Sequence, residues 1–445
     1  MRFIETIKNI SKIEDLRKRI VVTFLLVLVY RVGCYVVLPG INPSELDALR
    51  NFTDSGLMQL LDMFSGGAFS QASIFALGIM PYITASIVIQ LLGMVLPSFQ
   101  KLQREGESGH MKINQYTRYL TVLILLLQAP AYLVNLQVQV NSAGGNAHFG
   151  FWTMAYMIII LAAGSMFIMW LGERITDKGI GNGISFIILV GIIARLPQAF
   201  VQEFSNRLTT AQGGLVMFVV EIVVLFAVIL GAVLLVQGTR KVPVQYAKRI
   251  VGNKQYGGAR QYIPLKVNAA GVMPIIFAQA IMFIPLTLAG FGSQGEGSAV
   301  VRALTDMTGF WYNLIYFFMI VAFTYFYTAI TVRPTQMAED MKRNNGFIPG
   351  VKPGKKTSDY LDSIMSRITL PGSIFLGIVA IMPAFANICG VNQNFAQFFG
   401  GTSLLIMVGV VLDTLQQVES HLMMHHYDGL MKSGKIKGRT TGSGY

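Results

Sequence analysis

Ten stretches of about 20 mainly apolar residues recur along this chain, and a helix of that length crosses the roughly 30 Å hydrocarbon core of a bilayer. They lie near Val21–Leu38, Gln71–Leu96, Tyr119–Leu136, Phe151–Leu171, Ile184–Phe200, Gly214–Val236, Ala269–Ala289, Phe310–Thr331, Leu370–Ile388 and Thr402–Val418. The predicted fold is therefore an all-α polytopic membrane protein with ten transmembrane helices. Composition agrees, since 53% hydrophobic side chains, 13% charged ones and a mean hydropathy of +0.55 are too apolar for an ordinary soluble protein. The first stretch follows Arg17, Lys18 and Arg19 but has no small-residue cleavage site, so it reads as a retained span. Cys34 and Cys389 sit at the ends of spans, which supports packing roles and no disulfide framework.

A net charge of +13 raises the question of nucleic acid, and the placement of the charges answers it. Alternate connections, counted from the amino terminus, hold 30 of the 35 Lys and Arg residues. This asymmetry follows the positive-inside rule and places both termini in the cytoplasm. Two cytoplasmic loops, residues 237–268 and 332–369, carry seven basic residues each and are far longer than a connection needs. The first alternates polar and apolar residues around Gly257 and Gly258, which predicts a hairpin there. The second predicts a polar helix in "PTQMAEDMKRN" and another from Asp359 to Arg367. Such loops point to docking surfaces. Residues 1–206 and 207–420 each hold five spans, and an odd number gives the two halves opposite orientations, an inverted repeat. Residues 421–445 form a cytoplasmic tail.

Several motifs resemble chemistry and fail it. "GVKPGKKT" has three residues between Gly350 and Gly354 and no hydroxyl residue directly after Lys355, so it is not a P-loop. "GIGNG", Gly179 to Gly183, follows no strand and reads as a flexible turn into the fifth span. His421 and His425, with His426, lack a third metal ligand. No Ser, His and Asp arrangement for nucleophilic catalysis stands out, and no cofactor or metal is implied. Among the few ionisable residues within the spans are Arg31, Glu221 and Asp413, with Glu173 at an edge. Asp413 alone suits a proton or ion relay, and it reads better as a polar partner of a neighbouring helix.

The stretch before the second span is broken. Leu57 to Phe64 is too short to cross a bilayer, although Leu57, Leu60, Leu61 and Phe64 share one apolar face. Gly66 and Gly67 then supply a hinge. A non-spanning piece is tolerable at membrane depth where it lines a protein cavity instead of lipid.

These residues, with "MFSGGAFSQASIFALGIMPYITASIVIQLL", "EGESGHMKINQYTRY", "MWLGERITDKGIGNGIS", "YAKR", "PLKVNAAGVMP", "FIPGVKPGKKT" and "FGGTSLLI", closely resemble the SecY/Sec61-alpha family of protein-conducting channels. The resemblance implies two inverted five-helix halves around an hourglass pore, closed on its outer side by a plug helix at about residues 57–66. It also implies a pore ring of Ile79, Ile83, Ile188, Ile276 and Ile406, whose side chains offer no donor to water or ions. Thr84, Gln128 and Asn268 match a polar cluster at a lateral gate, with hydrogen bonds on the order of 1 kcal/mol each. Arg240, Lys248, Arg249 and Lys352 match partner-docking positions. Family members commonly have Arg where this chain has Lys352, and Lys keeps the charge but not the planar fork. Implied partners are SecE and SecG in a heterotrimer, the motor ATPase SecA, the ribosome, SecDF and YidC, preprotein signal sequences and membrane lipid. The implied location is the bacterial plasma membrane. Topology alone leaves two other classes open. A solute transporter would need a coupling ion, and an intramembrane hydrolase would need a nucleophile and base within the spans.

Overall fold

The computed structural model describes residues 13–41, 62, 65–142, 150–209, 214–246, 249–251, 254–256, 260–279, 281–282 and 309–432. In chain order the helices are α1 (Glu14–Cys34), α2 (Met80–Val95), α3 (Pro97–Arg104), α4 (Glu107–Ser142), α5 (Phe151–Lys178), α6 (Gly183–Thr209) and α7 (Gly214–Gln237). Strands β1 (Thr239–Tyr246), β2 (Arg249–Val251), β3 (Lys254–Tyr256) and β4 (Arg260–Lys266) follow. After α8 (Phe310–Thr331) and α9 (Pro334–Arg343) come β5 (Gly346–Phe347), α10 (Lys355–Ile388), α11 (Gln393–Ala396) and α12 (Gly401–Lys432). Among the described residues seven helices are long and apolar enough to cross a bilayer. An eighth span results if α2 and α3, bent by 103° at Leu96–Pro97, count as one. Part of the expected seventh span, residues 283–289, lies outside the described residues.

Helices overshoot their apolar runs. α4 starts at Glu107, α10 at Lys355, and α12 continues to Lys432. Hydropathy marks only the part of a helix that lipid or core requires to be apolar, while backbone hydrogen bonding carries the helix on into polar sequence. The second span departs the other way. It becomes helical only at Met80, with Pro81 in the first turn where its missing N–H is harmless. From Ser65 to Ile79 the chain is a series of turns.

The chain divides into two compact units, Met1–Arg195 with Val410–Tyr445, and Leu196–Gly409. The first has a core in which Phe69, Ala72 and Ala76 pack with Ala129, Tyr132, Leu133 and Leu136 of α4 and Met157 and Leu161 of α5. The Gly179–Gly183 turn is anchored within this unit. Its Ile180 N–H donates to Thr23 Oγ1 (3.2 Å), Gly181 N–H to Gln417 Oε1 (2.9 Å) and Gly183 N–H to Thr176 Oγ1 (2.9 Å). The expectation of a flexible turn is corrected accordingly.

In the second unit the two long loops merge. β1 pairs antiparallel with β4, Val242 opposite Ile263, and its end pairs with β5, Gln245 opposite Phe347. β3 pairs instead with β2, so β3 and β4 do not form the hairpin expected around Gly257 and Gly258. The expected helix from Asp359 to Arg367 is the first part of α10.

Candidate functional site

The turn segment that precedes α2 is held by polar groups from several helices of its unit. Tyr30 of α1 donates its hydroxyl to the Ser65 carbonyl (3.1 Å), and Arg31 Nη1 donates to the Gly66 carbonyl (2.8 Å). Arg195 of α6 forms an ion pair with Asp62 and also donates to Ser70 Oγ (3.3 Å). The Asp62 Oδ1 accepts from the Ser70 N–H (2.7 Å), and its main-chain carbonyl accepts from the Gly67 N–H (2.9 Å). Tyr132 of α4 donates to the Phe69 carbonyl (3.1 Å). Backbone groups with no helix or strand partner are thus satisfied inside protein, the condition for irregular backbone at membrane depth.

Gly66 (φ +66°) and Gly67 (φ +93°) make the tightest part of this segment. Both are left-handed, which L side chains resist by roughly 1–2 kcal/mol. A Cβ on Gly66 would also come within 2.8 Å of the Gly191 Cα in α6, so the turn needs glycine for space as well. Further on, Leu38 N–H donates to the Ala72 carbonyl (2.9 Å) and Ile74 N–H to the Val36 carbonyl (2.9 Å), a short antiparallel bridge. Phe75 stacks between Tyr30 and Phe167, with ring centroids 6.1 and 6.0 Å away. Of the expected plug residues, Gly66 and Gly67 lie in this turn, whereas Leu57, Leu60, Leu61 and Phe64 lie outside the described residues.

The merged loops of the second unit form a platform with its own core. Val242 and Val244 of β1 and Leu265 of β4 pack with Met341 of α9, Ile348, and Leu361 and Met365 of α10. Proline at position 243 points to the other face and is exposed, as alternation along a strand requires. Arg240 and Lys352 are both exposed on this platform, and the Lys352 carbonyl accepts from Thr357 Oγ1 (2.9 Å) at the start of α10. Lys248 lies outside the described residues, and for Arg249 only its place in β2 is described.

The expected ring and gate residues are distributed over both units. Ile79, Ile83 and Ile188 belong to the first, Ile276 and Ile406 to the second. Ile79, Ile188 and Ile406 are buried and the other two half-buried. Thr84 and Gln128 are half-buried in the first unit, and the Thr84 hydroxyl donates to its own helix at the Met80 carbonyl (3.0 Å). Asn268, in the second, is buried, and its Oδ1 has no hydrogen-bond partner among the described residues. Asp413 is exposed on α12.

The sequence profile of the SecY family matches residues 73–415. A protein translocase subunit SecY of Mycobacterium bovis is 41% identical over 449 aligned positions, covering 97% of this chain and 99% of that protein. The chain belongs to the SecY family. The fold is also that of solved channels. One is a SecY whose plug domain stabilises the closed state and maintains a membrane seal (18% identity, TM-score 0.62, covering 96% of this chain and 95% of that one). Another is Sec61 in the canine ribosome–channel complex from the endoplasmic reticulum (17% identity, TM-score 0.58, covering 96% and 95%).

Two polar sites of this SecY-family chain escaped the reading of its sequence. Asp62 lies in the short broken stretch and Arg195 inside the expected fifth span, and neither was singled out there; only their pairing gives them meaning. In the second unit Arg207 bridges Glu203 Oε1 (2.9 Å), Glu221 Oε1 (2.5 Å) and the Gly390 carbonyl (2.8 Å), while Glu203 Oε2 accepts from the Asn392 N–H (2.9 Å). The i, i+4 spacing of Glu203 and Arg207 is the one local signal for this site.

Proposed function

We infer that this chain is the channel-forming subunit of a protein translocase, passing unfolded preproteins across a bacterial plasma membrane and releasing apolar helices sideways into lipid. Family membership over nearly the full length carries this reading. The buried turn ahead of α2 supports it, because an irregular segment kept inside protein is what a channel with a movable seal requires. In this reading Ile79, Ile83, Ile188, Ile276 and Ile406 form a ring that resists water by dewetting and yields around an extended chain. Thr84, Gln128 and Asn268 favour a closed lateral gate, and an apolar signal sequence offsets them by partitioning toward lipid.

The chain has no catalytic role of its own, so energy comes from a bound partner or the membrane potential. The exposed platform, with Arg240 and Lys352, is the proposed docking surface for SecA and for the ribosome, whose RNA favours cations. SecE and SecG complete the proposed heterotrimer, with SecDF and YidC as further partners. Both termini face the cytoplasm, on the distribution of basic residues.

The test is reconstitution of the chain with SecE, SecG and SecA in vesicles, followed by protease treatment after ATP addition. Protection of a signal-bearing preprotein that depends on SecA is expected. No protection from an intact, SecA-bound complex would overturn the reading.

A further inference from the structure

We propose that the buried cluster of Glu203, Arg207 and Glu221 is a proton-binding site, that Glu221 carries the proton, and that this proton keeps the Gly390–Asn392 turn closed against α6 and α7. The inference stands independently of the channel reading. Two carboxylates meet one guanidinium here, with side chains 1%, 4% and 8% exposed. Fully ionised, the cluster would hold one uncompensated negative charge away from water, and a group so placed takes up a proton instead.

The hydrogen bonds decide which acid takes it. Glu203 is satisfied at both oxygens, Oε1 accepting from Arg207 Nε (2.9 Å) and Oε2 from the Asn392 N–H (2.9 Å). Glu221 Oε1 accepts from Arg207 Nη2 (2.5 Å), while its Oε2 is buried with no partner among the described residues. An ionised oxygen with no donor loses the solvation of a charge, whereas a protonated one forgoes only a neutral hydrogen bond. The ion pair therefore belongs to Glu203 and Arg207, and the proton to Glu221 Oε2. The neighbouring elements supply no further charge: within residues 196–209, 214–237 and 368–400, these three are the only charged residues. Cys389, exposed, is the other titratable group in those segments. Water is kept away by rings in the adjacent turns, Phe218 of α7 packing edge to face on Phe200 and Phe204 of α6, and Phe200 on Phe395 of α11.

The same charges hold the turn, through the Gly390 carbonyl on Arg207 (2.8 Å) and the Asn392 N–H on Glu203. Ionising Glu221 adds a second buried negative charge, and opening the turn to water relieves it. The closed turn holds a proton that the open one releases at neutral pH, so raising the pH favours opening, by up to about tenfold per pH unit.

The test uses the full chain with cysteine-free small subunits in detergent. Val391, buried in the turn, is replaced by cysteine and Cys389 by serine; the remaining Cys34 is buried. The rate at which a thiol reagent modifies the new cysteine is divided by that of the exposed Cys389 in the unaltered chain, which cancels the ionisation of the thiol itself. That ratio should rise about tenfold between about pH 7 and about pH 9, and stay level when Glu221→Gln, a mimic of the protonated acid, is added. The infrared carbonyl band of a protonated carboxyl group at neutral pH should be lost in Glu221→Gln. In thermal unfolding at neutral pH, Glu221→Gln should keep the unaltered midpoint, whereas Glu203→Gln, which removes the ionised partner, should lower it. A level ratio in the presence of Glu221, a carboxyl band unchanged by Glu221→Gln, or a midpoint lower in Glu221→Gln than in Glu203→Gln would each overturn the assignment.

Discussion

Arg207 shows what a single residue does when two acids share it. Glu203 and Glu221 are 1% and 4% exposed, so neither has water to replace the guanidinium. Through Gly390 and Asn392 the same cluster ties the turn after α10 to α6 and α7. Breaking a buried pair from one side costs about 3–5 kcal/mol, because the charges left behind remain buried, whereas removing every charge is often neutral. Arg207→Met should therefore lower the midpoint of thermal unfolding of the purified chain in detergent markedly. The triple variant Glu203→Gln, Arg207→Met, Glu221→Gln should recover most of that loss. A triple variant less stable than Arg207→Met alone would show that the acids are not the source of the cost. The sequence made Glu221 legible as an ion in a span, but not its partner, since Arg207 counted among residues of a connecting loop. Charge pairs between distant positions carry no local spacing, and Asp62 with Arg195 escaped for the same reason.

At the scale of elements, spans were legible because lipid imposes one crude requirement, length and apolarity, on each of them. Where protein replaces lipid the requirement lapses, which is why helical continuity from Gln71 was wrong and Met80 is the true start. Ala72 at φ +44° and Gly78 at φ +55° break the helix there, and the core around Phe69 and Tyr132 stabilises the break. The loops were legible as structured but not as one structure. Alternation identifies a strand, not its neighbour, and β1 pairs across an inserted β2–β3 hairpin as well as with β5, roughly a hundred residues on. A shared core makes a testable claim. Val244, fully buried in β1, contacts the cluster that includes Met341 and Leu361. Val244→Asp buries an unpaired charge, which a small core cannot tolerate. Limited proteolysis of the detergent-solubilised chain should then cut in both loops, 237–268 and 332–369, and leave the spans intact. Cleavage confined to the first loop would mean that the two fold separately.

For the molecule as a whole, family membership says more than any pattern of residues, because the proposed gating is a difference between two states. Asn268 is where the two scales meet. It is 8% exposed and its Oδ1 has no partner among the described residues, a condition that costs about 1–3 kcal/mol in a buried amide. A position that bears this cost in one state has something to gain in another, or from a bound chain. Leucine of similar volume removes both the cost and any bond that the amide makes with Thr84 or Gln128 in the proposed gate. If those bonds favour closure by about 1 kcal/mol, Asn268→Leu should shift the gate about fivefold toward open. Paired cysteines placed on α2 and on residues 273–279 report closure by their crosslinking yield. A lower yield in Asn268→Leu, restored by Asn268→Gln, is the expected result. A yield unaffected by leucine would remove Asn268 from the gate, and its buried amide would then be left without a function in this channel.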